Sequence, residues 1–411
     1  MKIVIFTHDS NSHIIGINSF IKALSKVHEV HVFIYDRYRE LLNCTDITVH
    51  NYDERIEAET KELYKKYSNK IGGIGLVRKL ERYSDFVEEA IEPYKYLLKG
   101  SEIYVKYLFD EVKKLNPDLI IRDSCSLFGR IIADKLGVVV YGYNTAGTMS
   151  DLYLENGLRE NLEDVFNWNL KHFTDSEVNQ LFNSIRDKFD EISHQFNVRT
   201  FPINYFMNPG EEKNICFSMP WYNYNDDRYV NVQPDIFNYK EDIIMNKEDK
   251  IFISTGTQIV FTAAIYNYLI NAFKNDKYFV TVSFKYFESD FIKLHNIPKN
   301  IKFKKFSNQR EELKKSKFFI NHGGYNSILE SIYYEVPLLL IPLSSDQFFN
   351  SRMIEKNKLG IRLSKNEVTT EKVKESVREL NENNDYINSV KLMKEKILRL
   401  PTIEEYILYN I

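Results

Sequence analysis

One segment in the second half of the chain joins an apolar strand to a helix through two glycines. It reads Phe318-Phe319-Ile320-Asn321-His322-Gly323-Gly324-Tyr325-Asn326-Ser327-Ile328-Leu329-Glu330-Ser331. Glycines at such a junction let a ligand approach the backbone, and a helix N-terminus attracts an anion. Asn326 and Glu330 are four residues apart, so they share one helical face. The segment predicts a phosphate-binding turn, and the alternative is a tight strand–helix turn capped by an asparagine.

Around this segment, short strands alternate with helix-length stretches. The strands predicted in the second half are Ile251–Ser254, Phe279–Ser283, Ile301–Lys304, Phe318–Ile320, Leu338–Ile341 and Ile361–Leu363. Strands and helices in strict alternation are typical of a doubly wound parallel sheet.

The first half shows the same alternation less regularly. Its predicted strands are Ile3–Phe6, Val30–Ile34, Leu119–Ile121 and Val138–Tyr141, with helices over about 14–24 and 127–136. Residues 52–115 read as charged amphipathic helices. The interruption at Gly72–Gly75 is interpreted as a flexible loop, because a phosphate loop should follow a strand rather than a helix. Residues 151–235 read as irregular and aromatic, and Tyr229–Asp249 is interpreted as an interdomain linker.

The chain has 411 residues, which is more than one hydrophobic core usually serves, so we predict two domains. We place them at residues 1–238 and 239–401, and residues 402–411, after Pro401, could return to the first domain. Ligands bind at the carboxyl ends of strands in such sheets. The expected α/β architecture is therefore two Rossmann-like doubly wound parallel sheets that face each other across a cleft.

Composition narrows the class of protein. A net charge of −3 argues against a nucleic-acid partner, and the longest apolar run, Val336–Leu343, is too short for a membrane span. Three widely spaced cysteines form neither a disulfide framework nor a zinc pattern. The N-terminus enters a strand without a signal-peptide pattern. We expect a soluble, cytoplasmic protein.

Several motifs together resemble those of a known family. Residues 322–331 are followed by the apolar stretch Val336–Pro342 and by Asp346-Gln347. Upstream lie Phe306–Gln309 and Ser254–Thr257. This combination resembles the signature box of the UDP-glycosyltransferase family, which has the GT-B fold and belongs to glycosyltransferase family 1. The resemblance is close over about residues 250–365 and looser in the first half.

The resemblance implies a donor site for a nucleotide diphosphate sugar, either a UDP- or a dTDP-sugar such as UDP-glucose. Glu330 would bind the ribose, Phe306 would stack on the base, and Gln309 would contact the base edge. The residues implied for the diphosphate are Thr257, His322, Gly324, Asn326 and Ser327, and those for the sugar are Asp346 and Gln347. Three positions depart from the family pattern: Phe306 and Tyr325 each replace a tryptophan, and Glu335 replaces a glycine.

The resemblance also implies a catalytic base in the first half. His13 begins the first helix, and its spacing to Leu24 matches the family's entry to that helix, although Ser12 replaces the usual glycine and the expected proline near Gly16 is missing. Asp123 corresponds to the aspartate that pairs with this histidine. A helix N-terminus disfavours the imidazolium form, which suits a general base. His8 is the alternative base.

The function expected from these motifs is inverting transfer of a hexose to a hydroxyl of a small, hydrophobic acceptor, such as a macrolide, polyketide or flavonoid-like compound. No D-x-D motif ends a strand, so no metal is expected. The alternatives are a UDP-sugar 2-epimerase, a lipid-linked N-acetylglucosaminyl transferase and a non-catalytic helper of the same fold. A glycosidase would need two paired carboxylates, and a dehydrogenase would need a G-x-G-x-x-G turn.

Overall fold

The computed structural model describes residues 1–71, 80, 82–222, 226–238, 247–255, 261–284, 297–344 and 346–411. The chain divides into two compact units. Unit 1 consists of Met1–Asp235 together with Leu400–Ile411, and unit 2 consists of Ile236–Arg399. The predicted loop at Gly72–Gly75 and most of the predicted linker after residue 238 lie outside the described residues.

Unit 1 contains a parallel sheet in the order β3-β2-β1-β4-β5-β6-β7. Its strands are β1 (Lys2–Phe6), β2 (Glu29–Ile34), β3 (Thr48–Asn51), β4 (Leu119–Asp123), β5 (Val139–Asn144), β6 (Asn214–Cys216) and β7 (Tyr229–Asn231). Strands β1 and β4 are direct neighbours, with Ile3 opposite Leu119 and Phe6 opposite Arg122. This pairing aligns the carboxyl ends of two strands that are more than 100 residues apart in sequence.

Helices cover both faces of the first sheet. They are α1 (Asn11–Ser25), α2 (Glu54–Ile71), α3 (Tyr83–Leu115), α4 (Leu127–Leu136), α5 (Asp151–Glu155), α6 (Leu158–Phe166), α7 (Asp175–Gln195) and the C-terminal α14 (Ile403–Asn410). One face buries α1 together with Ile403, Tyr406 and Ile407 of α14. The last residues of the chain thus complete the core of unit 1.

Unit 2 contains a second parallel sheet, in the order β10-β9-β8-β11-β12-β13. Its strands are β8 (Lys250–Ser254), β9 (Phe279–Ser283), β10 (Ile301–Lys304), β11 (Phe318–Asn321), β12 (Leu338–Leu340) and β13 (Gly360–Arg362). Its helices are α8 (Ala263–Phe273), α9 (Gln309–Lys315), α10 (Tyr325–Tyr333), α11 (Gln347–Lys356), α12 (Thr370–Glu382) and α13 (Asp385–Leu398). The predicted strands of the second half are confirmed to within about two residues.

Two interpretations of the first half are wrong. The stretch read as irregular contains the long helix α7, whose buried residues include Val178, Leu181, Ile185 and Ile192 at helical spacing. The segment beginning at Tyr229 is strand β7 rather than linker, because it pairs in parallel with β6 and extends the sheet. The many aromatic residues of this stretch drew attention away from the helical spacing in α7. Strand β7 has only three residues, which is too short for a recognisable pattern.

In the part of the chain that the structure describes, no helix is both long and apolar enough to cross a bilayer.

Candidate active site

The first candidate centre lies at the carboxyl edge of the sheet in unit 1. Strand β4 ends at Asp123, and His13 is the third residue of α1. The His13 Nδ1 atom lies 2.7 Å from Asp123 Oδ2, and the second carboxylate oxygen accepts the Cys125 backbone N–H at 2.9 Å. The Asp123 side chain is fully buried, whereas that of His13 keeps 17% of its surface exposed. The structure therefore brings together the two residues predicted as a dyad.

The environment of Asp123 keeps its carboxyl group ionised. Burial raises the pKa of Asp123, but the nearby His13, its hydrogen bond, His8 and the Cys125 N–H outweigh burial and lower the pKa below its ordinary value. An ionised carboxylate can only accept hydrogen bonds, so its partner nitrogen must carry the proton. A neutral His13 ring that donates from Nδ1 to Asp123 carries its lone pair on Nε2, the atom with the chemistry of a proton acceptor.

His8 lies beside this pair. Its ring packs edge-on against His13, with 4.9 Å between the ring centroids. Burial and the neighbouring His13 lower the pKa of His8 to about 4, so its ring is neutral near pH 7. The hydrogen bond to Asp123 belongs to His13, and this orientation by a carboxylate is what distinguishes the two candidate bases.

The second candidate centre lies in unit 2, where β11 meets α10. Gly323 has a φ of +91°, a conformation that favours glycine. Its N–H donates to Asn321 Oδ1 at 2.7 Å, and its carbonyl accepts Asn350 Nδ2 at 3.0 Å. Gly324 occupies the N-cap of α10, and it has no side chain to satisfy the first-turn N–H groups. The turn is a rigid backbone cradle of the kind that binds phosphate.

His322 forms one side of this cradle. Burial lowers its pKa to about 4, which keeps the ring neutral and able to donate one N–H. Its Nδ1 atom is buried without a hydrogen-bond partner among the described residues. A buried, unpaired ring nitrogen is costly unless a ligand engages it. His322 is therefore suited to contact a bound group at the turn.

Gly324 leaves room for that ring. A Cβ atom added at Gly324 would lie 2.8 Å from Cε1 and Nε2 of His322, whereas one added at Gly100 within α3 would meet nothing within 4 Å. We expect Gly324→Ala to displace the imidazole and to raise the dissociation constant for UDP at least about tenfold, the loss of roughly one charge-assisted hydrogen bond. Isothermal titration calorimetry measures it. Gly100→Ala is the matched control, and equal UDP affinity in both variants would show that the turn does not bind the nucleotide.

A hydrogen-bonded group joins α9 to α10. The Gln309 amide donates to Ser327 Oγ at 3.1 Å and to Glu330 Oε2 at 2.6 Å, and Arg310 Nε lies 3.7 Å from Glu330 Oε1. Glu330 is thereby held facing the start of α9. Phe306 lies just before this helix with 83% of its surface exposed, so its ring is accessible for stacking. In the structure, Gln309 donates to Glu330, the carboxylate predicted to bind the ribose. The contact of Gln309 with the base edge stays a prediction.

The other described residues predicted to bind the nucleotide sugar lie in two places, the start of α11 and the first turn of α10. Gln347 is buried, and its Oε1 accepts the backbone N–H groups of Leu343 and Ser344 at 2.9 and 3.1 Å. Asp346 Oδ2 accepts Asn350 Nδ2 at 2.9 Å. Both residues thus shape the loop before α11, and their contacts with a sugar stay predictions. Asn326 and Ser327 lie in the first turn of α10, and Thr257 lies outside the described residues.

Sequence reasoning missed three polar residues of this centre, namely Asn321, Asn350 and Arg310. Asn321 is a fully buried polar residue that ends an apolar strand, and its Nδ2 donates to the Ser254 carbonyl at 2.8 Å. Asn350 lies four residues after Asp346, on the same helical face. The polar residue at the end of an apolar strand and the spacing of four residues from Asp346 were both visible in the sequence.

Comparison with known proteins agrees with this geometry. The model of the glycosyltransferase family 28 C-terminal domain matches residues 251–403. The UDP-glucosyltransferase YojK of Bacillus subtilis, itself described as uncharacterized, is 27% identical over 364 residues and covers 85% of each chain. The NDP-glycosyltransferase YjiC of the same organism is 28% identical, covering 73% of this chain and 74% of its own length.

A solved structure shows the same fold. The spinosyn rhamnosyltransferase SpnG superposes with a TM-score of 0.68 at 13% identity and covers 99% of both chains. SpnG has been solved with thymidine diphosphate and with spinosyn aglycone. Two Rossmann-like units, with a glycine-lined turn in the second, have the GT-B fold. The chain is similar to UDP-glycosyltransferases, and it is a glycosyltransferase that uses a nucleotide-sugar donor.

Proposed function

We propose that this enzyme transfers a hexose, with inversion, from a UDP- or dTDP-sugar to a hydroxyl of a small hydrophobic acceptor. His13 removes the acceptor proton through Nε2, and Asp123 orients the ring and stabilises the imidazolium that forms. The 2.7 Å hydrogen bond between His13 and Asp123 carries the proposal. The deprotonated oxygen attacks the anomeric carbon, and the nucleotide diphosphate leaves from the opposite face.

The proposed donor site is the turn of unit 2. The diphosphate binds at Gly324 and the N-terminus of α10, with His322, Asn326, Ser327 and Thr257 as further donors. Charge that grows on the leaving diphosphate meets these fixed N–H groups and the helix dipole. We propose that this stabilisation serves in place of a metal ion, so that transfer is independent of divalent cations.

The other donor contacts follow the same proposal. Glu330 accepts the ribose hydroxyls, while Phe306 stacks on the base. Asp346 and Gln347 bind sugar hydroxyls, for which Gln347 has its amide nitrogen available, since its Oε1 already accepts two backbone N–H groups. Gln309 reaches the base edge if nucleotide binding releases its bond with Glu330.

The proposed acceptor is apolar because an aromatic side chain lies near the dyad. Burial and the charge of Asp123 raise the pKa of Tyr143, which places this ring near the buried carboxylate. SpnG, which shares the fold, has been solved in complex with spinosyn aglycone. We propose the cytoplasm as the compartment, since Cys44, Cys125 and Cys216 are all free thiols.

A thermal-shift screen tests the donor. UDP, dTDP, UDP-glucose and a dTDP-deoxysugar should each be compared with AMP, because a ligand raises the melting temperature by mass action at its own site. We expect UDP or dTDP to raise Tm and AMP to leave it unchanged. Equal shifts with all of them, or with none, would contradict the donor assignment. Acceptor-independent change of the sugar at C2 would instead support a UDP-sugar 2-epimerase.

Glu330→Ala is expected to raise the donor KM about 10- to 100-fold with a smaller change in kcat, because a hydrogen bond to a charged group contributes about 1.5–3 kcal/mol. Steady-state kinetics with varied UDP-glucose measures this. The matched control is Glu311→Ala on α9, whose carboxylate is exposed and pairs with Lys314. Unchanged donor kinetics in Glu330→Ala would refute the ribose assignment.

A further inference from the structure

A buried arginine immediately precedes the dyad aspartate. Arg122, in the apolar strand β4, is fully buried, and its Nη1 atom donates to the carbonyls of Asp123 at 3.0 Å and Ser124 at 3.1 Å. Its Nε donates to Glu211 Oε1 at 2.6 Å, and its Nη2 donates to the Pro209 carbonyl. One planar guanidinium thus fixes the backbone at the point where the strand ends and the Asp123 side chain turns towards His13.

Arg122 is itself fixed by a carboxylate and by the close packing of helix α4. Glu211 Oε1 also accepts Arg130 Nε at 2.7 Å, so one carboxylate faces two buried guanidinium groups. Burial and the charge of Arg122 lower the pKa of Arg130 to about 10, as expected where positive charge is in excess. Gly129 lets α4 approach, because a Cβ atom there would lie 2.9 Å from Arg122 Cβ. Burying these charges is unfavourable unless ion pairs and hydrogen bonds compensate the loss of hydration.

We propose that Arg122 is a positioning residue for the His13–Asp123 pair, and that it fixes the carbonyls of Asp123 and Ser124 so that the carboxylate meets Nδ1 of His13. This inference rests on the proposed function of that pair. The Arg122 side chain itself contacts no substrate in this scheme.

Arg130 provides a matched comparison. It is also buried, shares Glu211, and donates to the carbonyls of Pro209, Gly210 and Thr200, but among the described residues it donates to neither Asp123 nor Ser124. Arg122→Lys and Arg130→Lys both keep the charge and lose the planar fork. A purely structural cluster would respond similarly to both substitutions. A positioning role predicts that the two variants differ in catalysis.

The experiment compares both variants with wild type by kinetics and by proton NMR. With UDP-glucose and the flavonol kaempferol, Arg122→Lys should lower kcat about 10- to 100-fold with little change in the donor KM, since small misplacements of reacting groups cost this much. Arg130→Lys should keep kcat within about threefold of wild type. The downfield Nδ1 proton resonance of His13 should shift or broaden in Arg122→Lys and persist in Arg130→Lys. This resonance needs no acceptor.

A double variant distinguishes failure of the positioning role from failure of the proposed function of the dyad. In the Asp123→Asn background, adding Arg122→Lys should cause no further loss of kcat, because the arginine acts through the carboxylate. Additive losses, or an unchanged His13 resonance together with equal kcat in the two lysine variants, would overturn the positioning role. Wild-type activity in Asp123→Asn alone would instead refute the proposed function of the dyad.

Discussion

His13→Ala is expected to lower kcat about 10³-fold or more while leaving the dissociation constant for UDP nearly unchanged. The variant loses the ring nitrogen that lies within hydrogen-bond distance of the Asp123 carboxylate, and general base catalysis contributes about 10²- to 10⁴-fold. Binding of UDP depends on groups of unit 2 in the proposed scheme. Stopped assays of glycoside formation and calorimetric titration of UDP measure the two effects separately.

His194→Ala is the matched control for this experiment, because His194 is exposed at the end of α7. It should behave as wild type in both measurements. His8→Ala identifies the alternative base. Normal turnover in His13→Ala, with loss of turnover in His8→Ala, would move the proton acceptor to His8 and leave the donor site unaffected.

Asp123→Asn is expected to lower kcat about 10²- to 10⁴-fold, the range over which removal of a dyad carboxylate acts. An amide cannot stabilise the imidazolium that forms on proton transfer, and it can present its NH₂ group to Nδ1 and so select the wrong tautomer. The double variant His13→Ala with Asp123→Asn should be no less active than His13→Ala alone, because the two residues act as one unit. Multiplied losses would show that Asp123 acts by another route.

The opposite end of the same strand provides the control for Asp123→Asn. Asp118, just before β4, accepts the Lys2 backbone N–H at 2.7 Å. It lies away from the carboxyl edge of the sheet, where ligands bind. Asp118→Asn should therefore change stability slightly and kcat by less than about twofold.

Most strands of unit 2 could be predicted because they are apolar and bounded by polar residues, as in Leu338–Ile341. The strands β3 and β6 could not, since Thr48–Asn51 is polar and half-exposed and Asn214–Cys216 is only three residues long. Such strands exist because the neighbouring strand supplies the hydrogen bonds. Tertiary pairing overrides local pattern in these cases.

The candidate site shows the same division. The turn at Gly323 and Gly324 is local in sequence, so its pattern predicted its place and conformation. The contact between His13 and Asp123 joins residues 110 positions apart and depends on the pairing of β1 with β4, which a resemblance could suggest but spacing alone could not. In the sequence, Arg122 is simply a charged residue within an apolar strand. Its hydrogen bonds to the carbonyls of Asp123 and Ser124, which only the structure reveals, show which backbone groups it fixes.

The anomeric configuration of the product tests the single-displacement mechanism most directly. The wild-type enzyme should be supplied with α-configured UDP-glucose and kaempferol in the presence of EDTA, and the anomeric proton coupling of the purified glucoside should be measured by NMR. We predict a β-glucoside, formed at the same rate with and without EDTA. An α-glucoside would contradict direct attack by an oxygen that His13 deprotonates, and loss of transfer in EDTA would contradict stabilisation of the diphosphate by the turn of unit 2 alone.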